Sequence, residues 1–293
     1  MREGGLDATR ERLLELAPGV RAIVADPTVP VDGELLDAAG EELAVVANFA
    51  VGYDNVDLEA CRERGVIVTN TPGVLTNATA ELALALTTAA ARRLGETERA
   101  LRAGEWRGWD PGAWLGTELS GATFAVIGMG RIGRRYAELV RPLAGRLVYV
   151  ARSPKPEAER DLGAERLDLA EALAAADVVS LHAPGGPETR HLIGAVELER
   201  MKPTAILVNT ARGSLVDSDA LADALAAGRI AAAGLDVYEN EPEVPASLLA
   251  APNCVLAPHV GSATTKARNA MAVSVAENVL AVLTGTEPPN RVA

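Results

Sequence analysis

The chain has 293 residues, of which 48% are apolar and 23% charged, so it is long enough for two ordinary domains and too apolar to be disordered. Its net charge of -12 at pH 7 argues against binding to nucleic acid or to an anionic membrane. No apolar run approaches the roughly 18 residues of a membrane helix, and the start "MREGGLDATR" has no secretory pattern, so we expect a cytoplasmic protein.

Short strand-like runs alternate with helical stretches along nearly the whole chain. The predicted strands are residues 20–25, 44–47, 66–69, 122–127, 147–150, 178–181, 206–209, 232–235 and 254–256. This alternation is typical of parallel sheets with crossover helices. Because nine strands are many for one open sheet, we predict an α/β protein with two doubly wound, parallel-sheet domains.

Two long helical patterns mark the domain boundaries. One covers residues 79–93 and follows the turn "NTPGVLTNA"; the other covers residues 266–283. We therefore predict a first domain from residues 1–72, a second from residues 73–262, and a C-terminal helix in residues 263–293 that returns to the first domain. The two cysteines, Cys61 and Cys254, match neither a disulfide framework nor a zinc spacing, which predicts buried free thiols and no metal site.

A glycine-rich motif, Gly128-Met-Gly130-Arg131-Ile132-Gly133, follows the apolar run "ATFAVI" and opens a helical pattern. Between a strand and a helix, the first glycine permits a tight turn, the second lets the backbone approach a pyrophosphate, and the third allows close packing. The free N–H groups of the helix then bind the anion. The motif predicts a dinucleotide site.

The end of the next strand bears on the choice of cofactor. A site for NAD places Asp or Glu there, about twenty residues after the glycines, to bind the ribose 2′-hydroxyl. This chain has Ala151, followed by Arg152 and Ser153, with Lys155 close by. A guanidinium and a hydroxyl suit a 2′-phosphate. We therefore predict NADP as the preferred cofactor, with NAD possible.

Polar residues follow three further predicted strands. Arg212 lies in "VNTARGSLVD", Asp236 and Glu241 in "GLDVYENEP", and His259 in "VLAPHVGSATT". Reduction of a 2-keto acid needs a cation for the carboxylate, an acid for the carbonyl oxygen, and a partner that keeps this acid charged. Arg212, His259 and Glu241 supply that set. The two other histidines are interpreted as structural or surface residues: His182 and His191.

The ordered series of motifs resembles the D-isomer-specific 2-hydroxyacid dehydrogenases, and among them the glyoxylate/hydroxypyruvate reductases. The resemblance runs from about residue 6 to residue 292 and rests on "NFAVGYDNVD", "VTNTPGVLTNATAELALAL", "GMGRIGRR", "DVVSLHAPGGPETRHLIG", "VNTARGSLVD", "GLDVYENEP" and "PHVGSATT". It implies a Rossmann cofactor domain inserted in a smaller, flavodoxin-like substrate domain, with the active site in an interdomain cleft. Members of the family usually begin with a further strand and helix, so we expect a shortened substrate domain here.

The resemblance also implies roles for particular residues. Arg212 matches the arginine that clamps the substrate, Glu241 the carboxylate that pairs with the catalytic histidine, and His259 that histidine. Asp236 matches a residue near the nicotinamide carboxamide. Val51 and Gly52 match residues whose backbone amides bind the substrate from the first domain. Trp114 matches a residue that binds substrate from a dimerisation arm, residues 79–121, of a homodimer.

Two alternatives stay open at this point. One is an NAD-dependent enzyme like 3-phosphoglycerate dehydrogenase, which the absence of an acidic residue at Ala151 disfavours. The other is a non-catalytic, dinucleotide-sensing interaction protein of the co-repressor type, which shares the fold and the Arg, Glu and His residues. Turnover of 2-keto acids with NADPH and NADH distinguishes the three hypotheses.

Overall fold

The computed structural model describes residues 9–293, which divide into two compact α/β units. The first unit comprises the chain up to Leu75 together with Thr264–Ala293, and the second comprises Thr76–Ala263. The chain thus passes from one unit to the other twice. The boundaries at residues 72 and 262 stay predictions from the sequence.

The helices and strands follow the alternation expected from the sequence. The α-helices are α1 (Arg10–Leu16), α2 (Gly33–Ala39), α3 (Leu58–Glu63), α4 (Thr76–Ala91), α5 (Leu94–Arg102), α6 (Arg131–Val140), α7 (Pro156–Leu162), α8 (Leu169–Ala175), α9 (Ala195–Arg200), α10 (Ser218–Ala226), α11 (Ala246–Ala250) and α12 (Thr265–Leu283). The strands are β1 (Ala22–Ala25), β2 (Val45–Asn48), β3 (Ile67–Thr69), β4 (Ala122–Ile127), β5 (Ala144–Val150), β6 (Glu165–Arg166), β7 (Val178–Leu181), β8 (Ile206–Asn209), β9 (Ala232–Leu235) and β10 (Cys254–Leu256). All nine predicted strands are present, and β6 is additional.

The sheet of the first unit has three parallel strands in the order β1-β2-β3. Strand β2 is buried on both faces, whereas β1 lies at an edge and its Val24 side chain is 57% exposed. Two helices of this unit begin where aspartates accept backbone hydrogen bonds: Asp32 caps α2 and Asp57 caps α3. The C-terminal segment joins this unit through hydrogen bonds from the backbone N–H of Val292 to the carbonyl oxygen of Val68, and from Asn278 to Asn70.

The sheet of the second unit has seven parallel strands in the order β10-β9-β8-β7-β4-β5-β6. The chain starts in the middle at β4, builds outward through β5 and β6, and then returns to β7 on the other side of β4. The strand order therefore reverses between β4 and β7, which is the point where open α/β sheets bind ligands. Helices cover both faces of this sheet, and two apolar cores lie beneath them.

Both cysteines are buried free thiols, as the sequence predicted. Burial raises the pKa of Cys61 to about 11 and that of Cys254 to about 12. Neither thiol is therefore ionised near neutral pH. None of the helices between residues 9 and 293 combines the length and the apolarity needed to span a lipid bilayer.

Candidate active site

The glycine-rich loop joins β4 to α6 at the point where the strand order reverses. Gly128 has φ +100°, and a Cβ there would lie 2.6 Å from the backbone nitrogen of Ala183. A Cβ on Gly133 would lie 2.0 Å from the carbonyl oxygen of Gly128. Both glycines are thus required by the protein's own backbone. At Gly130, in contrast, a Cβ would meet nothing within 4 Å, so the space beside it is open to a ligand.

Helix α6 begins directly at this loop with Gly130 as its N-cap, and no side chain caps it. The first N–H groups of a helix have no partner within the helix, and they carry the positive end of its dipole. Arg131 and Ile132 lie in this first turn. The donors and the open space beside Gly130 fit the pyrophosphate of a dinucleotide.

The loop after β5 carries the residues that are expected to determine the preference between NADP and NAD. Ala151 stands where a carboxylate would bind the ribose of NAD, and the side chain of Arg152 is 91% exposed. Ser153 is exposed as well. The only ion pair of Arg152 within residues 9–293 is a long one, 3.9 Å from Glu188, whose side chain is also exposed. Such a pair contributes little, so the guanidinium can turn to another anion.

Three neighbouring strands place polar side chains at one edge of the sheet. Arg212 follows β8, Asp236 and Glu241 follow β9, and His259 follows β10. Since β8, β9 and β10 are adjacent and parallel, their carboxyl-terminal ends lie side by side at the same end of the sheet. The three loops that carry these side chains therefore share one end of the sheet.

The structure brings His259 and Glu241 into direct contact. Nδ1 of His259 lies 2.5 Å from Oε2 of Glu241, and the backbone N–H of Tyr238 donates to Oε1 of the same carboxylate over 2.9 Å. The side chain of His259 is 32% exposed and that of Glu241 is 16% exposed. A carboxylate on one ring nitrogen fixes the orientation of the imidazole and leaves Nε2 as the nitrogen that can exchange a proton.

Asp236 holds the loop that carries His259. Its two carboxylate oxygens accept hydrogen bonds from the backbone N–H groups of Val260 and Gly261, each over 2.7 Å, and its carbonyl oxygen accepts from the N–H of His259 over 2.9 Å. Burial raises the pKa of this carboxyl, and the hydrogen bonds from the two amides oppose that shift. The contacts matter because His259 has φ 52°, an unusual conformation for a side chain other than glycine.

The loop that carries Arg212 is held by a residue that sequence analysis missed. The buried Asn209 accepts a hydrogen bond from the N–H of Ala211 over 3.0 Å and donates to the carbonyl oxygen of Arg212 over 2.8 Å. A Cβ on Gly213 would lie 1.9 Å from the carbonyl carbon of Tyr238, so the loops after β8 and β9 pack backbone to backbone. An asparagine at a strand end, where its side chain can close a turn, is the signal that could have revealed this role.

The other histidines lie in different environments. His182 is partly exposed, its Nε2 lies 2.9 Å from Oγ of Ser180, and burial lowers its pKa to about 3. It is therefore neutral near pH 7, and its ring packs against that of Tyr136 with the centroids 5.0 Å apart. Nε2 of His191 lies 2.9 Å from Oε1 of Glu239, in a loop that does not directly follow a strand.

Two sequence-predicted substrate residues lie in the first unit, in the loop after β2. The carbonyl oxygens of Val51 and Gly52 accept hydrogen bonds from the side chains of Asn70 and Asn48, each over 2.7 Å. In a trans peptide the N–H that follows a carbonyl points the opposite way. Asn70 thereby fixes the direction of the Gly52 amide, and Asn48 fixes that of the Tyr53 amide.

Trp114 belongs to the segment between α5 and β4 in the second unit and is 37% exposed, with φ 50°. Other large apolar side chains of α5 and of this segment are exposed too: Leu94, Leu101, Trp106, Trp109 and Leu115. Among the described residues no group of three or more His, Cys, Asp or Glu side chains could hold a metal ion.

A Rossmann-type sheet with this glycine loop at its reversal point, and with a histidine–carboxylate pair at two further strand ends of the same sheet, is the arrangement of an oxidoreductase that uses a nicotinamide dinucleotide. Residues 84–261 match the family described as D-isomer specific 2-hydroxyacid dehydrogenase, NAD binding domain. The chain belongs to the D-isomer specific 2-hydroxyacid dehydrogenase family, as the motifs indicated.

Similar proteins include several glyoxylate reductases. That of Thermococcus litoralis is 49% identical over 284 residues, covering 96% of this chain and 86% of the relative. That of Aeropyrum pernix is 50% identical over 287 residues, covering 96% and 85%.

Solved structures agree with the two-domain fold. The TT0316 protein of Thermus thermophilus superimposes with a TM-score of 0.91 at 48% identity, covering 99% of this chain and 91% of that one. The NADPH-dependent glyoxylate/hydroxypyruvate reductase of Sinorhizobium meliloti, solved with NADP and malonate, gives a TM-score of 0.85 at 38% identity, covering 94% and 84%.

Proposed function

We propose that the protein reduces a small 2-keto acid, glyoxylate or hydroxypyruvate, to the corresponding 2-hydroxy acid with NADPH, and that His259 donates the proton. The observation that carries this proposal is the contact of 2.5 Å between His259 and Glu241 at strand ends next to the loop of Arg212. The glyoxylate reductases among the relatives support the choice of substrate.

When bound, the dinucleotide supplies the hydride that reaches the carbonyl carbon. The negative charge that develops on the carbonyl oxygen is then neutralised by a proton from Nε2 of His259. Glu241 stabilises the positive charge that the imidazole carries before it gives up this proton. In the oxidation of the hydroxy acid, the same nitrogen accepts the hydroxyl proton.

We assign the orientation of the substrate to hydrogen-bond donors that can bind its carboxylate. The guanidinium of Arg212 offers a planar fork that a carboxylate can engage with both oxygens. The backbone amides of Val51 and Gly52 are proposed as further donors to it, and Asp236 as a residue near the nicotinamide carboxamide. A fixed carboxylate places the neighbouring carbonyl group in one orientation, which is the main requirement of a two-substrate hydride transfer.

The preference for NADPH is proposed from the loop after β5. Arg152 can bind the 2′-phosphate with a charge-assisted hydrogen bond, and Ser153 can donate from its hydroxyl. A carboxylate at the position of Ala151 would repel that phosphate. With an alanine there, the repulsion is absent.

Replacing Arg152 by alanine is expected to weaken the use of NADPH far more than that of NADH. Loss of one charge-assisted bond of about 1.5 to 3 kcal/mol corresponds to a roughly ten- to hundred-fold rise in KM for NADPH. The measurement is steady-state turnover of a panel of 2-keto acids with both cofactors. Arg160→Ala is the matched control, because Arg160 is an exposed arginine of the following helix α7 that pairs with Asp161.

Equal losses with both cofactors, or an unmutated enzyme that prefers NADH, would contradict the proposed preference. Absence of turnover with every 2-keto acid and both cofactors would contradict the proposed reaction itself.

We further propose that the protein is a homodimer that uses the exposed apolar side chains of α5 and the following segment. Exposed apolar patches of this kind mark interfaces between proteins. Leu101→Glu is expected to shift sedimentation toward the monomer, because Leu101 is 60% exposed on α5. Leu280→Glu is the control, at 62% exposure on α12. A monomeric unmutated protein, or equal effects of both substitutions, would exclude this interface.

A further inference from the structure

The loop that follows β5 is held in place by an arginine that lies outside the loop, so the sequence of the loop does not indicate this contact. Nε and Nη2 of Arg166 donate to the carbonyl oxygen of Ala151 over 3.3 and 3.0 Å, and Nη2 also donates to that of Arg152 over 3.1 Å. One guanidinium thus bridges two successive carbonyl groups.

Strand pairing brings Arg166 to this position. It is the second residue of the short strand β6, which pairs in parallel with β5 so that Arg166 is opposite Tyr149, two residues before Ala151. The side chain is exposed, and within residues 9–293 its hydrogen bonds go to these two carbonyls. Its contacts are therefore concentrated on the loop and contribute little to the apolar core.

Holding the carbonyls fixes the direction of the amides that follow them. The peptide bonds in this loop are trans, so the N–H of Arg152 points opposite to the carbonyl of Ala151, and the N–H of Ser153 opposite to that of Arg152. No group in the described part of the chain accepts a hydrogen bond from either N–H. Two successive amides are thereby turned to the side of the loop away from Arg166, and successive N–H groups on one side of a loop are the donors from which backbone anion sites are built.

We propose that Arg166 is a positioning residue for the 2′-phosphate of NADPH, which it serves by orienting the amides of Arg152 and Ser153 toward the phosphate. The inference rests on the proposed preference for NADPH. The exposed Arg152 side chain and the Ser153 hydroxyl complete the set of donors, and the charge of Arg166 makes the loop still more favourable for an anion.

The test is the substitution Arg166→Ala in the full-length enzyme. Without the bridge the two carbonyls are free to rotate, and the amides lose their common direction. We expect a rise of roughly tenfold or more in KM for NADPH, with KM for NADH and kcat with either cofactor changed by less than about twofold. Calorimetry should show weaker binding of adenosine 2′-monophosphate and unchanged binding of adenosine 5′-monophosphate.

Arg146→Ala is the matched control, since Arg146 lies on β5 and pairs with Glu165, the residue next to Arg166. It should leave both KM values unchanged. Arg166→Gln removes the bridging fork with less loss of side-chain length, and the same selective rise is expected for it. Thermal unfolding of each variant checks that the fold is retained.

The outcomes separate this inference from the preference on which it rests. If Arg152→Ala discriminates between the cofactors but Arg166→Ala affects both equally or neither, the positioning role of Arg166 is wrong and the NADPH preference stands. If the unmutated enzyme prefers NADH and Arg152→Ala does not discriminate, both are wrong.

Discussion

Replacing His259 by alanine is expected to lower kcat for 2-keto acid reduction by about 10²- to 10⁴-fold, the usual contribution of a positioned general acid. Without the imidazole, the developing alkoxide must take its proton from water. Binding of NADPH should persist, because the glycine loop and the loop after β5 are unchanged. Single-turnover kinetics with saturating NADPH, together with a direct binding measurement, distinguish loss of chemistry from loss of cofactor.

The chain offers a closely matched control in His191. It too lies against a glutamate, 2.9 Å from Glu239, is similarly exposed at 34%, and has a positive φ of 49°. His191→Ala should retain most activity, whereas Glu241→Gln should lower kcat by roughly ten- to a hundred-fold through loss of a charge-assisted bond. Comparable losses in the His259 and His191 variants would show that His259 is not a specific proton donor.

Replacing Arg212 by lysine is expected to lower kcat/KM for the 2-keto acid by at least about 100-fold. Lysine keeps the positive charge but loses the planar fork that fixes both oxygens of the carboxylate, so the carbonyl group is no longer held in one orientation. The value of kcat/KM for the keto acid should fall, whereas KM for the cofactor should not change. Measurements of KM for each substrate at saturation of the other test this separation.

Arg229→Lys is the appropriate comparison, because Arg229 is an arginine of the same unit that pairs with Glu199. It should behave like the unmutated enzyme. Near-normal kcat/KM in Arg212→Lys would mean that charge alone is sufficient, and the role of a bidentate clamp would have to be abandoned.

Most of the fold could be predicted because its strands are continuous apolar runs. Strands such as β4 and β8 are buried on both faces of a parallel sheet, which demands apolar residues at successive positions. Strand β6 was not predicted because it consists of two exposed, charged residues, Glu165 and Arg166, and is a strand only through its pairing with β5. Its sequence carries no periodic signal.

The candidate site was predictable where a side chain follows a strand end. Parallel topology alone brings the ends of β9 and β10 together, so the contact between Glu241 and His259 follows from the strand assignment. Asn209 and Arg166 act instead through backbone groups of neighbouring loops. Such contacts depend on the exact course of the loops, which no pattern of residue types specifies.

The split of the first unit between the two ends of the chain determines when it can fold during synthesis. Its β3 strand is paired by the last residues, through Val292 and Val68, and its buried Asn70 carbonyl is satisfied by Asn278. Residues 76–263 emerge from the ribosome as an uninterrupted unit before any of those contacts can form. The three-stranded sheet therefore cannot complete these contacts until residues 264–293 have been synthesised, so the first unit completes its fold only after the second unit has been able to form.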